Sequence, residues 1–330
     1  MSDMDFPAEP PGLKKPDMQE VMAALNQEAQ STAGAVGASV VYGLSDLSSQ
    51  DIKTLELTWL KLPATRRHKV LQALNEASET SFELSYREIA LLSVKDESSL
   101  VRAAAIDLLW EDSSIETMQL FLNSARNDAA SHVKVRALVG LGKFILLGEY
   151  GEIPAALALE AQRLALELHR SPNEPLEVRR HALEALANSN HPEADPLIRA
   201  AYQQDSHLFK ASALYAMGRT CNAKWQEILL EELESHDSEL VYEAVRACGE
   251  IQLESSLDGI SQLAHSDDRE IQLMSIWALG EIGGRQAFEI LSGLEEHAED
   301  AEMADMIDEA LGAASFSLTG PMLDFSRDDS

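Results

Sequence analysis

The sequence predicts an all-α, right-handed α-solenoid of about eight helix pairs, and three observations carry that expectation. An apolar residue recurs at Val101, Val133, Val178, Phe209, Leu240, Ile271 and Met303, in steps of 32, 45, 31, 31, 31 and 32 residues. Four positions on stand Ala105, Ala137, Ala182, Ala213, Ala244, Ser275 and Ile307, and eight on Leu109, Leu141, Leu186, Met217, Cys248, Leu279 and Leu311. Seven on, the residue is small in every copy but the first: Leu108, Gly140, Ala185, Ala216, Ala247, Ala278, Ala310. A period of this length marks one helical hairpin per unit, and such hairpins bury their apolar faces only by stacking on neighbours.

Taken in order, residues 1–50 read as a flexible N-terminal segment with one short helix. Pro7, Pro10, Pro11 and Pro16 open it, residues 17–30 suit a helix, and residues 31–49 have the Ser, Gly and Ala content of a linker. Residues 36–42 are apolar enough to dock. The repeat solenoid is expected over residues 51–312. It opens with a worn copy counted from Arg66, in which Val70, Ala73 and Leu74 hold the core offsets. First helices are expected near 81–93, 115–126, 153–169, 193–204, 224–235, 254–264 and 286–297, and second helices begin at the anchors.

The one long step, from Val133 to Val178, carries about 13 extra residues, assigned to an extended second helix that breaks at Gly148 and Gly151 and to a turn with Pro172 and Pro175. Residues 313–330 lack a helical period and read as a flexible acidic and hydrophobic tail. A further expectation sets that tail in the groove until a partner displaces it.

The turns before the anchors hold Asp96, Asp128, Asp205, Asp237, Asp267 and Asp300, where a carboxylate caps free N–H groups and complements the helix dipole. Capping explains these aspartates without a metal. Basic residues one after the anchor (Arg102, Lys134, Arg179, Lys210) have stems long enough to reach such aspartates.

Five positions after the anchor the residue is again apolar in every copy but the last, where it is Asp308, and this closes the buried arc. The opposite arc, at offsets two, six and nine, is expected to face the groove lined by second helices. There the later copies place Tyr215, Tyr242, Arg246, Leu273 and Trp277, with Met274 beside them. These six residues are the candidate partner-binding patch, because aromatics around an arginine are the composition of interface hot spots.

The net charge is −30, and it is uneven: −5 over residues 1–64, −4 over 65–219 and −21 over 220–330. Nucleic acid and anionic membrane are excluded as partners for that end, and basic protein segments are favoured. Two cysteines make no disulfide framework, and the start lacks the basic and apolar stretches of a signal peptide. A cytoplasmic location is the expectation.

Runs such as Ile271-Gln-Leu-Met-Ser-Ile-Trp-Ala-Leu-Gly-Glu-Ile-Gly-Gly and Leu240-Val-Tyr-Glu-Ala-Val-Arg-Ala-Cys-Gly-Glu-Ile resemble HEAT repeats. They look most like the short bacterial variety shared with phycobilisome lyases, a HEAT-like or armadillo-like α-α superhelix. The resemblance covers roughly residues 66–312 and implies a fold more than an activity. Deoxyhypusine hydroxylases resemble this array but hold iron through His-Glu dipeptides. None of the nine histidines here precedes a glutamate; His181 precedes Ala182.

The basic groove of HEAT-like DNA glycosylases is also missing. No phosphate loop, Cys-x-x-Cys, His-Glu-x-x-His or Gly-x-Ser-x-Gly occurs. The expected function is a non-catalytic protein–protein interaction scaffold that grips a protein or peptide, with no cofactor or metal. The alternative is a phycobilin lyase-like enzyme or chromophore chaperone.

Overall fold

Every anchor lies in the first turn of a helix and is buried. The computed structural model describes residues 15–29, 36–81, 83–295, 298 and 300–318. Among them all regular structure is helical. The chain divides into an N-terminal unit, Met1–Gly140, and a C-terminal unit, Leu141–Ser330.

The N-terminal unit runs through α1 (Met18–Ala29), α2 (Ala38–Gly43), α3 (Ser49–Trp59), α4 (Ala64–Thr80), α5 (Arg87–Ser93), α6 (Ser99–Asp107) and α7 (Ile115–Asn127). The unit boundary falls inside α8 (Ser131–Glu149). Helix α1 falls within the expected helix over residues 17–30, while α2 lies in the stretch expected to be a linker. Val21 and Leu25, four apart on α1, and Val40 and Leu44 at α2 are fully buried in one cluster with Leu55, Trp59, Leu71 and Leu74. Two apolar residues one helical turn apart were enough to dock each short helix on α3 and α4.

A capping box starts α3: the Ser48 hydroxyl accepts from the Asp51 N–H and the Asp51 carboxylate from the Ser48 N–H. Behind it, Arg67 and Asp96 form a buried ion pair at 2.7 Å, 3% and 1% exposed. Arg67 also donates to the Leu62 carbonyl and Asp96 accepts the Ser98 N–H.

The C-terminal unit continues with α9 (Ala155–Arg170), α10 (Leu176–Leu186), α11 (Ala194–Tyr202), α12 (His207–Arg219), α13 (Gln226–Glu232), α14 (Ser238–Glu250), α15 (Leu257–Leu263), α16 (Arg269–Ile282), α17 (Gly284–Glu295) and α18 (Ala301–Leu318). The second helices α10, α12, α14, α16 and α18 pack on one another in series, and each first helix packs against the second helix of its own pair. The residues four after the anchors are all fully buried, Ala105 through Ile307. Offset five is buried from Ile106 to Ile276 and is exposed at Asp308, where the series ends.

What sets the spacing of these helices is a seam of small residues. A Cβ added to Gly218 would lie 2.9 Å from the Cα of Ala247; at Gly249 the same atom would lie 3.0 Å from Ala278, and at Gly280 2.9 Å from Ala310. Each glycine is nine after its anchor and each facing alanine seven after the next. Offset nine was expected to face the groove; at Gly218, Gly249 and Gly280 it is buried between helices, because only a hydrogen-sized side chain lets the backbones approach so closely.

The long step is met by α8 extending to Glu149, followed by a turn in which Gly151 takes φ +74°. Gly148 leaves room for Ala158 of α9.

Of the expected caps, Asp237 accepts the Glu239 and Leu240 N–H groups, Asp128 that of Ala130 and Asp300 that of Met303. The cap of α16 is Asp268, one residue past the expected Asp267, and α12 starts behind Ser206 with no side-chain cap. Arg102 reaches Asp128 through two bonds of 2.7 Å as its spacing suggested. Arg179 instead donates to the His169 carbonyl and lies over Phe209, and Lys210 lies over Tyr202.

The tail expected from residue 313 begins as helix, since α18 runs to Leu318 with Ala314 fully buried. Its docking in the groove concerns residues outside those described. Among the described residues, no helix is long and apolar enough to cross a membrane.

Candidate functional site

Six after the anchor, the second helices of the C-terminal unit present Glu184, Tyr215, Arg246 and Trp277 in succession. Tyr215 lies beneath Arg246, with the guanidinium carbon 3.9 Å from the ring centroid. That is the aromatic–cation contact the sequence suggested. The arginine is otherwise engaged from within. Its Nε donates to Glu243 at 2.9 Å and its Nη1 to Glu250 at 2.7 Å, leaving the side chain 13% exposed. Arg219 joins Glu250 to Asn188, and Ser212 links Arg180 with Glu184. Arg246 is therefore a strut across α12 and α14 and not an open cation for a partner.

Electrostatics follow from that burial. Desolvation pulls the Arg246 guanidinium down, but Glu243 and Glu250 outweigh it and hold the group above its ordinary range. Burial pushes the Glu243 carboxyl up, opposed by Arg246. Burial likewise raises the Tyr215 and Tyr242 hydroxyls. Gly218 supports the same network: a Cβ there would meet the Glu250 Oε2 at 2.5 Å.

Five of the six predicted residues, Arg246 among them, come together at one recess. Tyr242, Arg246, Leu273, Met274 and Trp277 line one open cavity of about 610 Å³, joined by Glu250, Glu270 and Met306. Tyr242, Leu273, Met274, Trp277 and Met306 pack against the core while remaining half-buried. The Trp277 ring rests over Gly249. Sequence reasoning missed Met306, although it sits three after its anchor, the offset Met274 holds in the preceding copy. It also missed the two carboxylates in the lining. Tyr215 lies one layer away, under Arg246.

A second recess was not anticipated at all. In the N-terminal unit a cleft of about 940 Å³ opens between the ends of α4 and α6 and the first half of α8, lined among others by Glu79, Asp107, Trp110, Glu111, Arg136 and Val139. Trp110 is 47% exposed. The signal was present, since Asp107 and Val139 hold offset six and Trp110 offset nine, the positions expected to face the groove. No repeated aromatic drew attention to them.

Among the described residues, no group of three or more His, Cys, Asp or Glu side chains is arranged to hold a metal ion. Cys248 is a core residue whose thiol burial pushes up to about 12, and Cys221 is exposed.

The architecture, stacked helical hairpins with no strand among the described residues, defines an all-α solenoid. Its C-terminal unit carries repeats of a known kind: residues 226–312 match the HEAT repeats family and residues 178–204 the PBS lyase HEAT-like repeat. No curated protein is close enough in sequence to count as a match.

Among solved structures, the complex of CpcE and CpcF of phycocyanin lyase from Nostoc sp. PCC7120 is similar at 16% identity and TM-score 0.49, covering 95% of this chain and 100% of that one. The YibA protein of Escherichia coli is similar at 13% identity and TM-score 0.44, with 85% and 98% covered. Human deoxyhypusine hydroxylase follows at 14% and 0.35, with 81% and 96% covered.

Proposed function

We propose that this chain is a non-catalytic scaffold that binds a protein or peptide segment at the Tyr242–Trp277–Met306 cavity of its C-terminal unit. The observation behind the reading is an apolar, half-buried floor held on three successive second helices beside the exposed Glu270. Aromatic and methionine side chains in a shallow recess are the usual anchoring points of a partner's apolar residue. The exposed Glu270 in the lining and the −21 charge of residues 220–330 favour a partner segment with basic residues, mainly by speeding encounter. In this reading the chain works in a reducing compartment such as the cytoplasm, where the exposed Cys221 thiol persists.

Selection of a random displayed peptide library on the full chain tests it. Enriched peptides should combine a bulky apolar residue with Lys or Arg, and should lose binding to Trp277→Ala and Tyr242→Ala and at high salt. Peptides that bind both variants as well as the parent chain would overturn the assignment. The bilin-lyase alternative has the PBS lyase HEAT-like match at residues 178–204 in its favour; a tetrapyrrole that binds or is transferred in the presence of the chain would establish it.

A further inference from the structure

The cleft of the N-terminal unit carries a second recognition chemistry, independent of the Trp277 cavity. Four arginine–aspartate pairs in this unit can be compared. Arg67 with Asp96, Arg102 with Asp128 and Arg87 with Asp112 meet at 2.7–2.8 Å, and Arg102 and Asp128 are 18% and 10% exposed. The pair in the cleft, Arg136 with Asp107, is the exception: a single contact of 3.5 Å, with both side chains more than a third exposed. The electrostatic consequence runs in parallel. Burial pushes the Asp112 and Asp128 carboxyls up, yet their hydrogen bonds outweigh it and hold both below the usual range. At Asp107 burial wins over Arg136 and His68, and the carboxyl stands above its usual range. Asp107 is thus a half-buried acid whose counter-charge is poorly placed.

Around it the cleft offers Glu79 and Glu111 and the half-exposed ring of Trp110. Arg87, the other cation at the wall, is engaged by Glu88, Asp112 and Glu116. An anionic ligand would meet three carboxylates. A purely apolar one would cover Asp107 without neutralising it, which costs free energy. A planar guanidinium answers both needs, stacking on an indole face while donating to carboxylates in its own plane.

We propose that this cleft binds an arginine side chain of a partner segment, stacked on Trp110 and paired with Asp107 and Glu111, with Arg136 swinging aside as the internal stand-in it replaces.

The test is ¹⁹F NMR of the full chain labelled with 5-fluorotryptophan, whose four tryptophans give separate reporters, Trp110 being assigned through Trp110→Phe. The probe is an acetylated, amidated Gly-Arg-Gly-Arg-Gly peptide, titrated at physiological salt. The Trp110 resonance should shift saturably, the Asp107→Asn variant should weaken binding at least about fivefold, and the same peptide with Glu for Arg should produce no shift. The Asp107→Asn chain should keep the wild-type circular dichroism, so that weakened binding reports the lost carboxylate. An unmoved Trp110 signal, a shift confined to Trp277, or equal affinity for Asp107→Asn would overturn the proposal. The Trp277 resonance reports the other cavity separately, so the failure of one reading leaves the other standing.

Discussion

Gly249→Ala isolates what holds the second helices at their spacing. In an open helical position, exchanging glycine for alanine stabilises by about 1 kcal/mol, because alanine loses less backbone freedom on folding. At 249 the added methyl would lie 2.8 Å from the Trp277 ring, 3.0 Å from the Cα of Ala278 and 3.1 Å from its Cβ. Two of those three atoms are fixed to the backbone of α16, so relief requires α14 and α16 to part. Overpacking of this kind costs about 1–3 kcal/mol, which leaves a net loss of up to about 2 kcal/mol after the propensity gain.

Gly293→Ala, inside α17, is the matched control: nothing lies within 4 Å of its added Cβ, so it should stabilise by about 0.5–1 kcal/mol. Urea unfolding followed by far-UV circular dichroism compares both with the parent. The same chemical change should move the midpoint down at 249 and up at 293. A Gly249→Ala chain unfolding at or above the parent's midpoint would show that the seam is not closed as described.

Two other outcomes follow from the N-terminal unit. Arg67→Ala should destabilise it by about 3 kcal/mol or more, since it leaves the Asp96 carboxylate buried without its partner; hydrogen exchange of α4 and α6 would register the loss. The pH dependence has a definite sign. The Asp112 and Asp128 carboxyls are depressed in the folded chain, so their contribution is fully present above the unfolded value of about 4 and is lost as pH falls through the folded values. Acid unfolding should therefore steepen below about pH 4, and Asp128→Asn should flatten that slope.

The solenoid was legible because its repeating offsets are set by burial alone. Val101 to Met303, the residues four later and, up to Ile276, the apolar residues five later lie where a single buried face requires. The candidate patch was legible for the same reason, since stacked copies bring equal offsets side by side, and five of its six residues share one cavity. Several features depended on contacts that the repeat does not encode. The docking of α1 and α2 rests on four apolar residues, two of them in a stretch that otherwise reads as linker. The ion pairs of Arg246 with Glu243 and Glu250, three positions before and four after it along α14, went unread because the groove-facing offsets carried no sign of them. Offset nine changes role between units, glycine in the seam at 218, 249 and 280 but tryptophan in a cleft at 110. A register alone cannot distinguish those two uses; the size of the residue occupying it does.

That glycine-on-alanine seam has a bearing on how such a chain changes length. Gly218, Gly249 and Gly280 present the same bare backbone, and Ala247, Ala278 and Ala310 the same single methyl. Excising the 31 residues from 219 to 249 would bring Gly218 opposite Ala278, chemically the neighbour it already has. Unequal recombination between copies thus keeps each joint's chemistry intact, and the array can gain or shed whole hairpins while its recognition surfaces are altered elsewhere.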